Sequence, residues 1–177
     1  MKSQVQGKRV SESRVQLAQL MQPEHANNHG NVHGGWIMKL MDEAGALACV
    51  RHAQSRVVTV AVDRMTFHQP IRLGDLVTLT AEVNYVGHTS MEAQVDVTAE
   101  NPVTGKCVFT NTAFFVYVAL GESDRPSPVP PLVPENRKQR LRMEEGRKRQ
   151  EYRLSRSREE TTKPPEDLDR SSNGRCV

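Results

Sequence analysis

Asn28-His29-Gly30-Asn31-Val32-His33-Gly34-Gly35-Trp36-Ile37-Met38-Lys39-Leu40-Met41-Asp42-Glu43-Ala44-Gly45 is the stretch on which the reading of this chain turns. It opens as a polar, glycine-bearing loop and passes into a helix expected from about Gly34 to Arg51. Ile37, Met38, Leu40, Met41, Ala44, Ala46, Leu47, Ala48 and Val50 leave that helix only a thin polar seam. A helix apolar on nearly every side is a buried one, so the rest of the chain is expected to wrap around it. One acid, Asp42, sits in its middle.

Outward from the helix, the apolar pattern changes period from 3.6 to 2. Arg14 to Leu20 alternates and reads as a first strand. Val57 to Phe67 reads as a strand whose apolar parity switches between Val62 and Met65, which calls for a bulge near Asp63-Arg64 or burial on both faces. Val77 to Tyr85 and Met91 to Ala99 alternate apolar with polar residues, as strands with one wet face do. Gly87-His88-Thr89 and Asn101-Pro102-Val103-Thr104-Gly105 supply the turns. Cys107 to Leu120 is apolar on both parities, as a central strand is. Short turns make antiparallel neighbours. One helix and a run of antiparallel strands give an α+β fold, not a doubly wound one.

The chain has 177 residues and is 37% hydrophobic, with the apolar residues crowded before position 120. Residues 121–134 form a proline-rich linker. Residues 135–160 read as a basic surface helix, with a neighbouring subunit as one surface it can cover, and residues 161–177 as a disordered tail. The net charge of +3 is uneven: the 135–160 segment holds ten bases against six acids, and the rest is near neutral. A basic appendage suits an anionic partner, but its glutamates are interspersed and aromatics are scarce, so a nucleic-acid partner is not expected. Three scattered cysteines make no disulfide framework. With no signal-type h-region and no apolar run of about 18 residues, the expectation is a soluble cytoplasmic protein without membrane insertion.

Chemistry concentrates at the loop and helix. Gly34 and Gly35 open the helix, where backbone N–H groups lack helical partners and the dipole is positive. That is either a plain glycine turn or an oxyanion hole. Asp42 is either a solvated acid on the polar seam or a functional carboxylate on a buried helix. Asn31 is either a helix cap or a holder of water or a carbonyl. Asn31 precedes Asp42 by more than two turns, so if both are catalytic the site lies between two subunits. His25, His29 and His33 have a metal-like spacing, but Pro23, Gly30 and Gly34 break the helix that would align them, and no metal is expected. Cys49 and His52 read as a buried thiol and its neighbour rather than a nucleophile pair. No serine elbow, P-loop or dinucleotide fingerprint is present.

The run Gly30 to Gly45 resembles the hotdog-fold acyl-CoA thioesterases, and more narrowly their cytosolic acyl-CoA hydrolase branch. The likeness continues through Val58 to Asp63, Phe67 to Asp75, Gly87 to Glu92 and Glu135 to Lys138, in order. It implies a hotdog domain over residues 1–120: a long central helix wrapped by an antiparallel β-sheet, with a C-terminal helical extension. It implies a dimer with a continuous sheet, assembled as a trimer of dimers into a hexamer. It implies hydrolysis of acyl-CoA to free acid and CoA, with no cofactor and with CoA itself as product. The family's catalytic aspartate falls on Asp42 and its asparagine on Asn31. Its CoA-binding segments fall on Val60, Ala61 and Val62, on Thr89, Ser90 and Met91, and on Lys138. Asp42 would then act as general base on water or as a nucleophile giving an anhydride, with Gly34 and Gly35 as the oxyanion hole. An acyl-CoA-binding regulator and a hydratase are the competing readings on the same fold. The first lacks a DNA-binding module, and the second would place a histidine with an acid at the reacting carbon.

Overall fold

The computed structural model describes residues 6–162. In chain order its elements are β1 (Lys8–Arg9), α1 (Val10–Ser13), β2 (Val15–Leu20), α2 (Gly34–Ala53), β3 (Arg56–Phe67), β4 (Leu76–Val86), β5 (Ser90–Asn101), β6 (Lys106–Leu120), β7 (Leu132–Val133) and α3 (Arg137–Thr162). The α+β expectation holds. Five antiparallel strands in the order β2-β4-β5-β6-β3 curl around α2.

Alternation puts Val77, Leu79, Ala81 and Val83 of β4 and Met91, Ala93, Val95 and Val97 of β5 on the face toward α2, all buried. Ile37, Leu40, Met41, Ala44, Ala48 and Cys49 meet them from the helix. The β5–β6 turn closes on Gly105, whose φ of 69° is a conformation that glycine adopts without steric cost. The parity switch in β3 is a pair of bulges: the register with β6 shifts between Thr59 and Ala61 and again between Val62 and Arg64. The extra residues are Val60 and Asp63.

The helix is not buried on every side within one chain. Met38, Leu47 and Val50 are 44%, 45% and 38% exposed. Five strands curl over only one side of a helix, so the apolar excess on its other side is left for another surface. The helix also runs two residues past Arg51, ending where Gln54 takes a left-handed φ of 54° and donates its N–H to Val50.

A second departure concerns the polar sheet face. The alternating Glu82, Glu92 and Asp96 read as a solvent-facing stripe, and α3 as a surface helix with a neighbouring subunit as one surface it can cover. Instead α3 packs on this face of its own sheet. Arg142 pairs with Glu82 and Asp96, Arg149 with Glu92, and Arg153 with both Glu92 and Asp63. Glu92 is fully buried and also accepts from the Asn84 amide. Gly146 is needed where α3 crosses Tyr85, since a Cβ there would lie 2.6 Å from the tyrosine's own Cβ. Arg142, Arg149 and Arg153 recur at helical spacing, so one face of α3 meets the sheet's acids.

The proline-rich segment is docked rather than detached. Lys8 donates to Pro131 O as β1 pairs with β7, Val129 donates to His88 O, and Val129 and Leu132 are buried. The tail expected from residue 161 begins inside α3, and residues 163–177 lie outside the described residues. Among the described residues no helix is long and apolar enough to cross a membrane.

Candidate active site

Asp42 lies mid-way along α2, partly buried, where β3 and β6 pass beneath it. Thr59 and Tyr117 are directly paired on those two strands, so their side chains share a face. Both reach the same carboxylate oxygen. Thr59 Oγ1 donates to Asp42 Oδ1 over 2.7 Å, and Tyr117 OH lies 3.2 Å from Oδ1 and 2.9 Å from the Asp42 carbonyl. Among the described residues nothing hydrogen-bonds Oδ2. Burial, then the Asp42 charge, push the Tyr117 hydroxyl far above its ordinary range, so it stays protonated and remains a donor.

The N-terminus of α2 is capped by His33, not by Asn31. The His33 Nδ1 accepts from Gly35 N–H at 2.9 Å, which puts the ring proton on Nε2. Trp36 and Ile37 N–H groups reach His33 O. Of the two glycine N–H groups read as an oxyanion hole, Gly35's is therefore occupied, and Gly34's alone has no bonded partner among the described residues. Gly34 faces Phe67 at the far end of β3, with a Cβ position 3.5 Å from its ring.

Asn31 and Asn27 line one apolar cleft of about 340 Å³ beside Gly34 and Phe67. The Asn27 Oδ1 accepts from the N–H groups of His29 and Asn31 at 2.8 and 3.2 Å. With its oxygen held by two backbone donors, the amide is fixed and its NH2 is left for the cleft. Asn31 contributes backbone: its N–H holds Asn27, and its carbonyl accepts from Asn27 N–H at 2.7 Å. Along α2, Gly34 and Asp42 are about 12 Å apart at 1.5 Å per residue. The asparagine cleft and the Asp42 carboxylate are thus two separate places on one chain.

The three segments expected to hold CoA do not converge within one chain. Val60 to Val62 share a cleft of about 800 Å³ with Phe114, Arg149, Tyr152 and Arg153. Ser90 touches the same stretch of α3, accepting from Gln150 at 3.5 Å, while Met91 is buried behind it. Lys138 lies in a different cleft, with Arg142, Glu82 and Asp96. Of the other histidine and cysteine candidates, His25 and Cys49 are enclosed, as is His52, while His29 is exposed. His25 is buried, stacks on Trp36 and accepts from Gln22 N–H. Cys49 is fully buried, which pushes its thiol well up. Among the described residues no three His, Cys, Asp or Glu side chains are grouped to hold a metal ion.

Sequence reasoning missed Thr59, Tyr117 and Asn27. A threonine on a valine-rich strand has no local mark of function. Tyr117 reads as one more apolar residue of a central strand. Asn27 had a signal in principle: an Asn two residues before His29 and four before Asn31 is placed for an Asx-type turn.

Residues 29–106 match the family described as Thioesterase superfamily. A mouse protein named cytosolic acyl coenzyme A thioester hydrolase is 40% identical over 142 residues, which is 79% of this chain and 37% of the relative. The chain thus spans little more than a third of the length of the mammalian relatives it matches. A crystal structure described as an apo-hexameric acyl-CoA thioesterase is 34% identical with a TM-score of 0.83, covering 86% of this chain and 98% of that one. The acyl-CoA hydrolase of Staphylococcus aureus, solved with butyryl coenzyme A and coenzyme A, is 30% identical with a TM-score of 0.80 over 87% of this chain and 94% of that one. Alanine variants of an asparagine, an aspartate and a threonine of that hydrolase have also been solved, at steps of 15 and then 17 residues. In this chain Asn27, Asp42 and Thr59 stand at the same steps.

Proposed function

Because this chain belongs to the thioesterase superfamily, we propose that it hydrolyses the thioester of acyl-CoA to a free carboxylic acid and CoA, with Asp42 as the base. The observation that carries the reading is the Thr59–Asp42 hydrogen bond. It ties a carboxylate on the central helix to a strand hydroxyl at the step that the S. aureus hydrolase variants share. In this reading water is deprotonated by Asp42 and attacks the thioester carbonyl. The tetrahedral oxyanion is held by Gly34 N–H and the fixed Asn27 NH2, and it collapses with loss of the CoA thiolate, which takes up the proton from Asp42 and restores the base. Asn27 takes the role the resemblance gave to Asn31, and Asn31 supports it through the backbone. No cofactor enters these steps.

The same reading needs two subunits. Among the described residues no strand pairs with the outer edge of β3, and its Val58, Val60 and Val62 are 43%, 54% and 44% exposed. An unpaired apolar edge invites a second strand. A two-fold pairing of β3 with its own copy, centred near Asp63, would set the Thr59 end of one strand beside the Phe67 end of the other. Asp42 of one subunit would then face the asparagine and Gly34 of its partner, and each dimer would hold two equivalent sites. The exposed Met38 and Leu47 of α2 would be covered in the dimer or would line the acyl channel. Arg149 and Arg153 at Val60 to Val62 would meet CoA phosphates as charge-assisted partners, with Lys138 serving a neighbouring subunit's site. A trimer of such dimers and a cytoplasmic location complete the proposal, and residues 1–120 form its catalytic unit. Purified protein mixed with acyl-CoA of increasing chain length tests the activity. Release of free thiol with saturation is the expected result, and no release at any chain length would overturn it.

A further inference from the structure

Among the described residues Tyr117 is the one side chain that reaches both the carboxylate and the backbone of Asp42. It lies on β6, fully buried, between Thr59 of β3 and Met91 of β5. Its hydroxyl has one proton and two acceptors on the same residue, the Asp42 carbonyl at 2.9 Å and Oδ1 at 3.2 Å. That pair of contacts fixes the Asp42 side chain relative to its own backbone. The Thr59 hydroxyl approaches the same Oδ1 at 2.7 Å. Two donors on one oxygen leave the other, Oδ2, with no hydrogen bond among the described residues.

The helix makes room for this contact at a cost. Gly45 stands one turn beyond Asp42, and a Cβ there would lie 2.5 Å from the Tyr117 hydroxyl and 3.2 Å from its ring. A glycine inside a helix is unfavourable relative to alanine. The position is explained by the phenol that passes over it.

We infer that Tyr117 is a positioning residue: with Thr59 it pins Oδ1 of Asp42 and so selects Oδ2 as the oxygen that takes the proton from water. The inference rests on Asp42 being the base. A tyrosine that merely fills the core and caps a helix carbonyl would alter stability and nothing else. A tyrosine that orients a carboxylate changes the rate of the chemical step without changing substrate binding.

Tyr117→Phe keeps the ring and removes the hydroxyl. The expected result, read by thiol release from an acyl-CoA, is a fall in kcat of about 10- to 100-fold, the range for losing a hydrogen bond to a charged group. KM should stay within about twofold. The acid limb of the rate–pH profile should move upward, because a donor to the ionised form is gone. Full-length protein carrying 3-fluorotyrosine in place of tyrosine keeps ring and hydroxyl but donates more strongly. Its acid limb should move downward in wild type and not in Tyr117→Phe, and this comparison stands even if Tyr117→Phe loses stability. Wild-type kcat and an unmoved profile in Tyr117→Phe, while Asp42→Asn is inactive, would overturn the inference alone. Wild-type kcat in Asp42→Asn would overturn the active-site reading and the inference with it.

Discussion

The hydroxyl of Thr59 donates to Oδ1 of Asp42 at 2.7 Å, joining the edge strand β3 to the middle of the central helix. This one bond places a carboxylate of α2 against β3, the outermost strand of the sheet among the described residues. It thereby connects the proposed chemistry to the proposed assembly.

Thr59→Val keeps the shape of the side chain and loses the donor. A hydrogen bond to a charged acceptor is worth about 1.5–3 kcal/mol, so kcat for thiol release should fall about 10- to 100-fold with KM nearly unchanged. Steady-state kinetics on the purified variant checks this.

Glu92→Ala removes a carboxylate buried beneath Arg149 and Arg153. Breaking a buried ion pair on one side costs about 3–5 kcal/mol, and here Arg149 loses its carboxylate partner while Arg153 keeps Asp63. Urea denaturation should show a drop of that order. Hydrogen exchange should rise first in α3, which the carboxylate anchors to the sheet.

The stability of the chain should fall as the pH drops below 6.5, and His52 is one cause. Burial, and to a smaller degree the nearby Lys8 charge, lower its pKa from the ordinary 6.5, against an opposing hydrogen bond to Pro130 O and the charge of Glu12. In the window between the lowered folded value and 6.5 the unfolded chain binds a proton that the folded chain refuses, so stability rises with pH there and is complete above 6.5. Urea midpoints measured from pH 7.5 to 5.5 should decline in wild type. In His52→Gln, which keeps a donor for Pro130, the decline should be shallower.

Two inactive variants should rescue each other if the site is shared between subunits. Asp42→Asn and Asn27→Ala, co-expressed and randomly paired, would give mixed dimers in which one site carries both defects and the other carries none. About a quarter of wild-type activity is expected from such pairing. No recovery in mixtures shown to contain mixed dimers would place the asparagine and the aspartate of one chain in the same site.

The sheet, its turns and the β3 bulge were legible because they depend on local signals. Period-2 alternation, Gly105 in a left-handed turn and the parity change between Val62 and Met65 are each written in neighbouring residues. The exposed side of α2 was not legible: Met38, Leu47 and Val50 look like core residues until a neighbouring surface is counted. Nor was the position of α3, since Glu82, Glu92 and Asp96 carry the same alternating pattern whether water or arginines lie over them. At the site, Asp42 stood out as an acid on an apolar helix. Thr59 and Tyr117 are far from it in the chain and meet it only through the β3–β6 register. The His33 cap, which takes the Gly35 N–H, depends on a side-chain rotamer that spacing does not encode.

The central claim is that Asp42 is the base for thioester hydrolysis, and the rate of thiol release by Asp42→Asn against wild type tests it most directly. Replacing a carboxylate with an amide of the same shape should lower kcat by about 100-fold or more, the contribution of a positioned general base. CoA binding and the urea midpoint should stay near the wild-type values. A variant that is folded, binds CoA and releases thiol within about threefold of the wild-type rate would contradict the account.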